Sequence, residues 1–166
     1  MNGVATAEGK TFPVTFPDNA EPVRQAIEET GAVLLIIDPL FSFVSGATDS
    51  FKDDSIRRGA LSPLKQIAEE TEASIVLVRH LNKSQSTRAI YKGGGSIGIT
   101  AAARSALLIA ASPDDDELKV LAQTKSNSGR KADSLAYRII QSHNDPSIPL
   151  IRWEGVTTAT ADELLA

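Results

Sequence analysis

The sequence predicts an α/β fold in which a parallel βαβ first half is followed by a run of antiparallel strands. Three observations predict it. The first is Gly31-Ala32-Val33-Leu34-Leu35-Ile36-Ile37-Asp38-Pro39, whose five consecutive apolar β-formers, Val33 to Ile37, are expected to form a strand buried on both faces. The second is Ser74-Ile75-Val76-Leu77-Val78-Arg79-His80, which repeats the pattern and again ends in polar groups. Between them, Ile56, Ala60, Leu64, Ile67 and Ala68 recur at helical spacing, so strand, helix and strand make a right-handed crossover. The third is the shortening of the period beyond Ser105 into brief strands separated by turn residues.

Taken in order, residues 1–10 carry no periodic pattern and are expected to be disordered, a loop or an artificial extension. Thr11 to Phe16 reads as a short edge strand, because Pro13 cannot donate to a central ladder. Asp18 or Asn19 caps a helix through Thr30, with Val23, Ala26 and Ile27 on one face, and Gly31 ends it. After the first apolar strand comes a loop, residues 40–50, apolar at first and then small and polar. The helix over 53–71 starts with Asp53 and Asp54, which suit its positive end. Pro63 lies inside it, where an interior proline costs about 3 kcal/mol, so a kink or a restart at Ser62 is expected. Further on, Ile97 to Ala103 reads as a short helix and Ser105 to Ala111 as a strand. Pro113 to Glu117 is a solvated hairpin turn, Leu118 to Thr124 the return strand, and Lys125 to Lys131 a polar basic loop. Leu135 to Gln141 alternates as a half-exposed strand, Ile148 to Trp153 is the last strand, and Thr160 caps a helix over 161–165.

A chain of 166 residues suits one domain, 1–166, with a real core. The hydrophobic fraction of 42% and charged fraction of 23% are those of a globular protein, and no apolar run reaches membrane-spanning length. The N-terminus lacks the pattern of a secretory signal, which makes a cytoplasmic location the expectation. There is no cysteine, which excludes disulfides, thiolate metal sites and a cysteine nucleophile. The formal charge of -4 gives no global nucleic-acid signature, so any such footprint is local.

Two places carry candidate chemistry. Asp38 is expected at the carboxyl end of its strand, the edge where open α/β sheets bind ligands, and a carboxylate there can orient a hydrated magnesium ion beside a phosphate. This is the Walker B pattern, although a buried strand can also end in aspartate for structural reasons alone. The crossover places His80 at the same edge. The second place is the acid-free stretch from Ala73 to Pro113, with Arg79, Lys83, Arg88, Lys92 and Arg104. Within it, residues 82–96 form a polar, glycine-containing segment with Tyr91 beside Lys92 and Gly93-Gly94-Gly95. Such a loop either tracks a phosphate backbone with its cations and stacks a base on Tyr91, or is simply solvated.

The motifs in this order resemble the RecA-like ATPases of the RepA replicative-helicase type, which belong among the AAA ATPases. They are Leu34 to Leu40, Ser74 to His80 with Leu81-Asn82-Lys83, Gly94-Gly95-Ser96 leading to Ala101-Ala102-Ala103-Arg104-Ser105, and Thr124-Lys125-Ser126-Asn127-Ser128-Gly129. The resemblance spans about Thr11 to Ala166. It implies a RecA-like P-loop NTPase core, ATP and magnesium as ligands, assembly into a homo-oligomeric hexamer or filament, and DNA, single-stranded, as partner. It also implies site roles: Asp38 as the Walker B aspartate holding magnesium through water, and His80 as the sensor of the γ-phosphate. Lys83, Arg88, Tyr91 and Lys92 would face DNA, and Arg104 and Lys125 are candidates for the cation that reaches a neighbouring subunit's nucleotide. The corresponding bland assignments are a strand-end histidine for His80, a helix-end surface cation for Arg104 and a solvated loop residue for Lys125. Related helicases often carry a second cation two residues after this lysine, where this chain has Asn127.

The family's glycine-rich P-loop, Gly-x-x-x-x-Gly-Lys-Ser/Thr, is missing. Gly9-Lys10-Thr11 matches only its ending, since position 4 is Val4. The expectation is therefore a truncated domain, the carboxyl part of an ATPase, inactive without the Walker A half. A non-catalytic module for oligomerisation or single-stranded DNA binding is the alternative. Residues 32–38 and 75–80 also look like isochorismatase-type hydrolases, but that chemistry needs a cysteine nucleophile and this chain has none.

Overall fold

The computed structural model describes residues 4–5, 11–12, 14–46, 48, 52–80 and 97–165. These divide into two compact units, 4–80 with 97–102 and 103–165, and each is described by itself.

In the first unit, β1 (Val4–Ala5) pairs antiparallel with β2 (Thr11–Phe12). Part of the segment expected to lack structure is thus a strand, and the edge strand expected over 11–16 is shorter than its sequence suggests. Phe16 instead makes a lone parallel bridge to Val44 and is 1% exposed. Helix α1 (Ala20–Thr30) follows Asn19, whose Oδ1 accepts the Thr15 backbone N–H at 2.9 Å. That bond fixes the approach to the helix, and no side chain caps its first turn. Gly31, at φ 63°, closes the helix in the left-handed conformation that glycine adopts without a Cβ penalty. Of the predicted apolar face, Ile27 is buried, Val23 is half-buried and Ala26 is exposed.

Beside a later helix, where it also comes within 3.8 Å of Glu70, the half-buried Arg24 donates to Glu21 and Glu28. The hydrogen bonds from Arg24 and, second, from Gln25 lower the Glu21 carboxyl from 4.5 to about 2. Glu21 therefore contributes stability that is fully present above about pH 4.5 and is lost as the pH falls through 2. In Glu21→Gln the unfolding midpoint should depend less steeply on pH across that window. An unchanged acid limb in a urea titration would count against the contact.

Strands β3 (Leu34–Ile37) and β4 (Ser74–Leu77) pair in parallel, Leu34 opposite Ser74 through Ile37 opposite Leu77. The predicted crossover is present, and its helical arm is α2 (Asp53–Ile56), a π-turn over Arg57–Leu61, and α3 (Ser62–Thr71). Pro63 produces neither a restart nor a cap at Ser62. The helix runs through as a wider turn just before the proline, a known way for a helix to absorb an extra residue. Gly59 within that turn lies so close to Thr48 that a Cβ would overlap its side chain.

The core of this unit gathers Phe16, Ile27, Ile37, Leu40, Ile56, Leu64 and their neighbours. Here the expectation of a doubly buried sheet is corrected. Leu35, Ile37, Ile75 and Leu77 face the core, whereas Leu34 and Ile36 are 49% and 58% exposed and Val76 is 45% exposed. The described helices pack on one face of β3 and β4 only, so alternate side chains along each strand point to water. Helix α4 (Ile97–Ala102), close to its predicted extent, adds Ile99 to the core.

The second unit is an antiparallel sheet of β5 (Ser105–Ser112), β6 (Asp115–Ser126), β7 (Ser134–Gln141) and β8 (Pro149–Thr157), ordered as in the sequence. The second half is antiparallel as predicted, with longer strands. Asp115 is not simply solvated: its carboxylate pairs with Arg138 at 2.5 Å. That hydrogen bond, first among its causes, holds Asp115 below the usual carboxylate range. Lys125 lies inside β6 rather than in a loop, since the ladder to β5 continues to Ser126 opposite Ser105. One face of the sheet packs Leu108, Val120 and Ala122 against Leu164. Leu164 sits in a 3-10 turn, Glu163–Leu165, in place of the expected helix. Thr160 caps it reciprocally, donating its N–H and hydroxyl to Glu163 and accepting the Glu163 N–H. No described helix is long and apolar enough to cross a membrane.

Candidate functional site at the carboxyl edge of the parallel strands

Two backbone hydrogen bonds extend the parallel pair past its last register position. Val78 N–H donates to Ile37 C=O and Leu40 N–H donates to Val78 C=O, both at 2.9 Å. Leu40 is fully buried, so the segment Asp38-Pro39-Leu40 is pinned by a core side chain on one side and by the extension of β4 on the other. Asp38 and His80 are thereby both brought to the carboxyl edge of the pair, as the crossover predicted, and both are exposed. Placement at this edge leaves an aspartate free to meet a ligand approaching the strand ends.

Next to His80, Arg79 turns inward. Its Nη2 donates to Thr100 Oγ1 at 3.0 Å, and Thr100 is 6% exposed. Burial pushes the Arg79 guanidinium below its ordinary value. This contact ties the end of β4 to α4, which flank residues 81–96 in the sequence. Sequence reasoning counted Arg79 only among the basic residues and passed over Thr100. A lone threonine in the apolar stretch Ile97-Gly98-Ile99-Thr100 was the available signal.

The other predicted residues fall elsewhere. Arg104 and Lys125 belong to the second unit, where the hairpin of β5 and β6 puts both at one end. Lys125 Nζ donates to Ala103 C=O at 2.7 Å, and Arg104 C=O accepts the Asn127 N–H at 2.9 Å. The Lys125 ammonium is thus held beside the Arg104 backbone, and Arg104 itself is exposed. Lys83, Arg88, Tyr91 and Lys92 lie outside the described residues. Two shallow clefts of the first unit, one lined by Arg24, Ser62 and Glu70 and the other by Asp54, Arg57 and Ala101, include neither Asp38 nor His80.

Among the described residues no group of three His, Asp or Glu side chains converges as a metal cage. Asp38 alone fits one kind of divalent ion. Magnesium keeps most of its waters and takes one or two carboxylates together with phosphate oxygens, so a single exposed carboxylate at a strand end suffices on the protein side. On the phosphate side, no stretch of the sequence reads Gly-x-x-x-x-Gly-Lys-Ser/Thr, the loop that cradles phosphates in P-loop ATPases.

A family model described as an AAA domain matches residues 4–86, half of the chain, and the match takes in both Asp38 and His80. No curated protein matches the chain.

Proposed function

The chain belongs to the AAA domain family, and on that premise we propose that it is the Walker B part of an ATP-hydrolysing, DNA-associated motor of RecA or RepA type, a helicase or a helicase loader. The observation that carries this is the juxtaposition of Asp38 and His80 at the carboxyl edge of a parallel pair, inside the matched residues. Both compact units would then be parts of one ATPase domain acting in a homo-oligomer.

In this assignment Asp38 holds the magnesium ion through a water, and His80 faces the γ-phosphate and passes its state along the chain to residues 82–96. Lys83, Arg88 and Lys92 meet phosphates of single-stranded DNA there, and Tyr91 stacks a base. Arg104 and Lys125 offer positive charge to the nucleotide of a neighbouring subunit. The bound ATP and its magnesium ion supply the transferable phosphoryl group and neutralise its charge. Without a phosphate cradle of its own, the chain alone is not expected to bind ATP tightly.

One set of titrations tests this. Calorimetry with ATP and magnesium is expected to show no micromolar binding to the chain alone, and binding in a longer form of the protein only where that form supplies a Gly-x-x-x-x-Gly-Lys-Ser/Thr loop. Micromolar affinity in the chain alone would overturn the assignment of a missing cradle. For DNA, anisotropy of a labelled single-stranded oligonucleotide should show binding that weakens with salt. Replacing Lys83, Arg88 and Lys92 together by alanine should reduce the slope of log K against log salt by about 2. DNA binding without ATP turnover in such a longer form would favour the non-catalytic module instead.

A further inference from the structure

The second unit has one face packed by Leu164 and another that carries large apolar side chains into water. Register shows that they form one surface. Ile109 lies opposite Leu121, Leu121 opposite Leu135, and Leu135 opposite Val156, a row crossing all four strands. Ile139 opposite Ile151 extends it along β7 and β8, and Trp153 beside them stands edge-on to Tyr137, which is itself buried at 8% exposure. Residues directly opposite, and residues two apart on one strand, share a face. Ile109 is 57% exposed, Ile139 56%, Ile151 59%, Trp153 55% and Val156 70%.

We propose that this sheet face is a docking surface for a second copy of the chain, the two sheets stacking face to face. Area is the first argument. With Leu107 and Leu135, these side chains expose the equivalent of about four whole large apolar residues. At no more than about 150–250 Å² each, the range of aromatic side chains, that is at most about 600–1,000 Å² per copy. Full burial of two such faces would approach the 1,200–2,000 Å² typical of a specific complex.

Charge is the second argument. β7 and β8 place no charged side chain on this face: Arg138 and Arg152 both pair with Glu154, at 3.6 and 2.8 Å, on the opposite one. On β6 the face carries Lys119, opposite Tyr137, and its Nζ donates to Asp116 C=O at the hairpin end. A partner of opposite charge has little here to recognise, whereas a self-complementary apolar face needs only a two-fold axis. Along β8, one of the two edges of the sheet, the strand favours stacking over strand addition; the other edge, β5, carries no charged side chain. β8 is irregular where Ala136 meets Gly155, whose φ is 104°, and the neighbouring Arg152 and Glu154 are charged, features that discourage edge pairing. Stacked sheets meet at about 10 Å with interleaved side chains, an arrangement this row of Ile, Leu and Val suits. The proposal does not depend on nucleotide or DNA.

The cysteine-free sequence makes the test direct. The whole chain is expected to show by light scattering a mass rising with concentration to twice 17.6 kDa. Ile139→Cys, paired with Ile151 on the β7–β8 part of the face, should form a disulfide-linked dimer under mild oxidation, and Glu29→Cys on the exposed side of α1 should not. Ile139→Lys should raise the concentration at half-dimerisation about tenfold or more while leaving the far-UV spectrum unchanged. A monomer at every concentration, with the thiol of Ile139→Cys resisting alkylation because the chain covers its own sheet, would overturn the proposal. So would a dimer indifferent to Ile139→Lys, or equal cross-linking by the two cysteine variants.

Discussion

Replacing Ile37 by alanine is expected to lower the unfolding free energy by about 2–5 kcal/mol, whereas the same change one residue earlier, at Ile36, should cost less than about 1 kcal/mol. The two are identical side chains on one strand, so propensity and backbone effects cancel in the comparison. What differs is the face. Ile37 is 4% exposed and packs in the core with Leu40 and Ile56, and its truncation leaves a cavity that the helices around it cannot fully collapse. Ile36 is 58% exposed and already meets water. A loss of this size is a large share of the 5–15 kcal/mol that typically separates a folded chain from its unfolded state. Urea unfolding of the two variants decides the matter. Equal losses would mean that the outer face of β3 is covered in solution, by another copy or by another polypeptide.

This matched pair also marks how far the sequence could be read. Five apolar residues in a row announce a strand and its position, but a continuous run has no period, and period is what separates one buried face from two. Hence the strand was legible, its start one residue early since β3 begins at Leu34 rather than Val33, and the exposure of Leu34 and Ile36 was not. The placement of Asp38 and His80 at one edge was legible because handedness and parallel pairing leave the two strand ends only one common edge. Pro63 announced its own cost, yet a π-turn against Thr48 depends on a tertiary neighbour that no local pattern names. Arg79 and Thr100 stand 21 residues apart, and Asp115 and Arg138 stand 23 apart. Contacts at such separations follow from where strands and helices happen to pack, so the sequence offered their residue types without their pairing. The antiparallel ladder had turn signals at its hairpins, and its broad outline was therefore readable, while Lys125 moved from loop to strand because register, rather than composition, sets where a ladder ends.

The second large effect concerns Asp38. In any form of the protein that carries a P-loop and turns over ATP, Asp38→Asn is expected to lower that turnover by about 10²- to 10³-fold, the usual cost of removing one group that stabilises developing charge. The substitution keeps shape and removes charge, and Asp38 is exposed at the strand end, so stability should change by no more than about 0.5 kcal/mol. That separation of activity from stability distinguishes a ligand-facing carboxylate from a structural strand end. The position cannot drift, because Leu40 N–H and Val78 N–H lock the backbone on either side of it into the extension of β3 and β4. His80→Ala offers the contrast: a residue that reports the state of the phosphate rather than holding the ion should lose the response of turnover to single-stranded DNA before it loses turnover itself. Initial rates measured with and without oligonucleotide distinguish the two roles. If Asp38→Asn turns over as fast as the parent, the carboxylate merely ends a strand, and the case for nucleotide chemistry at this edge falls with it.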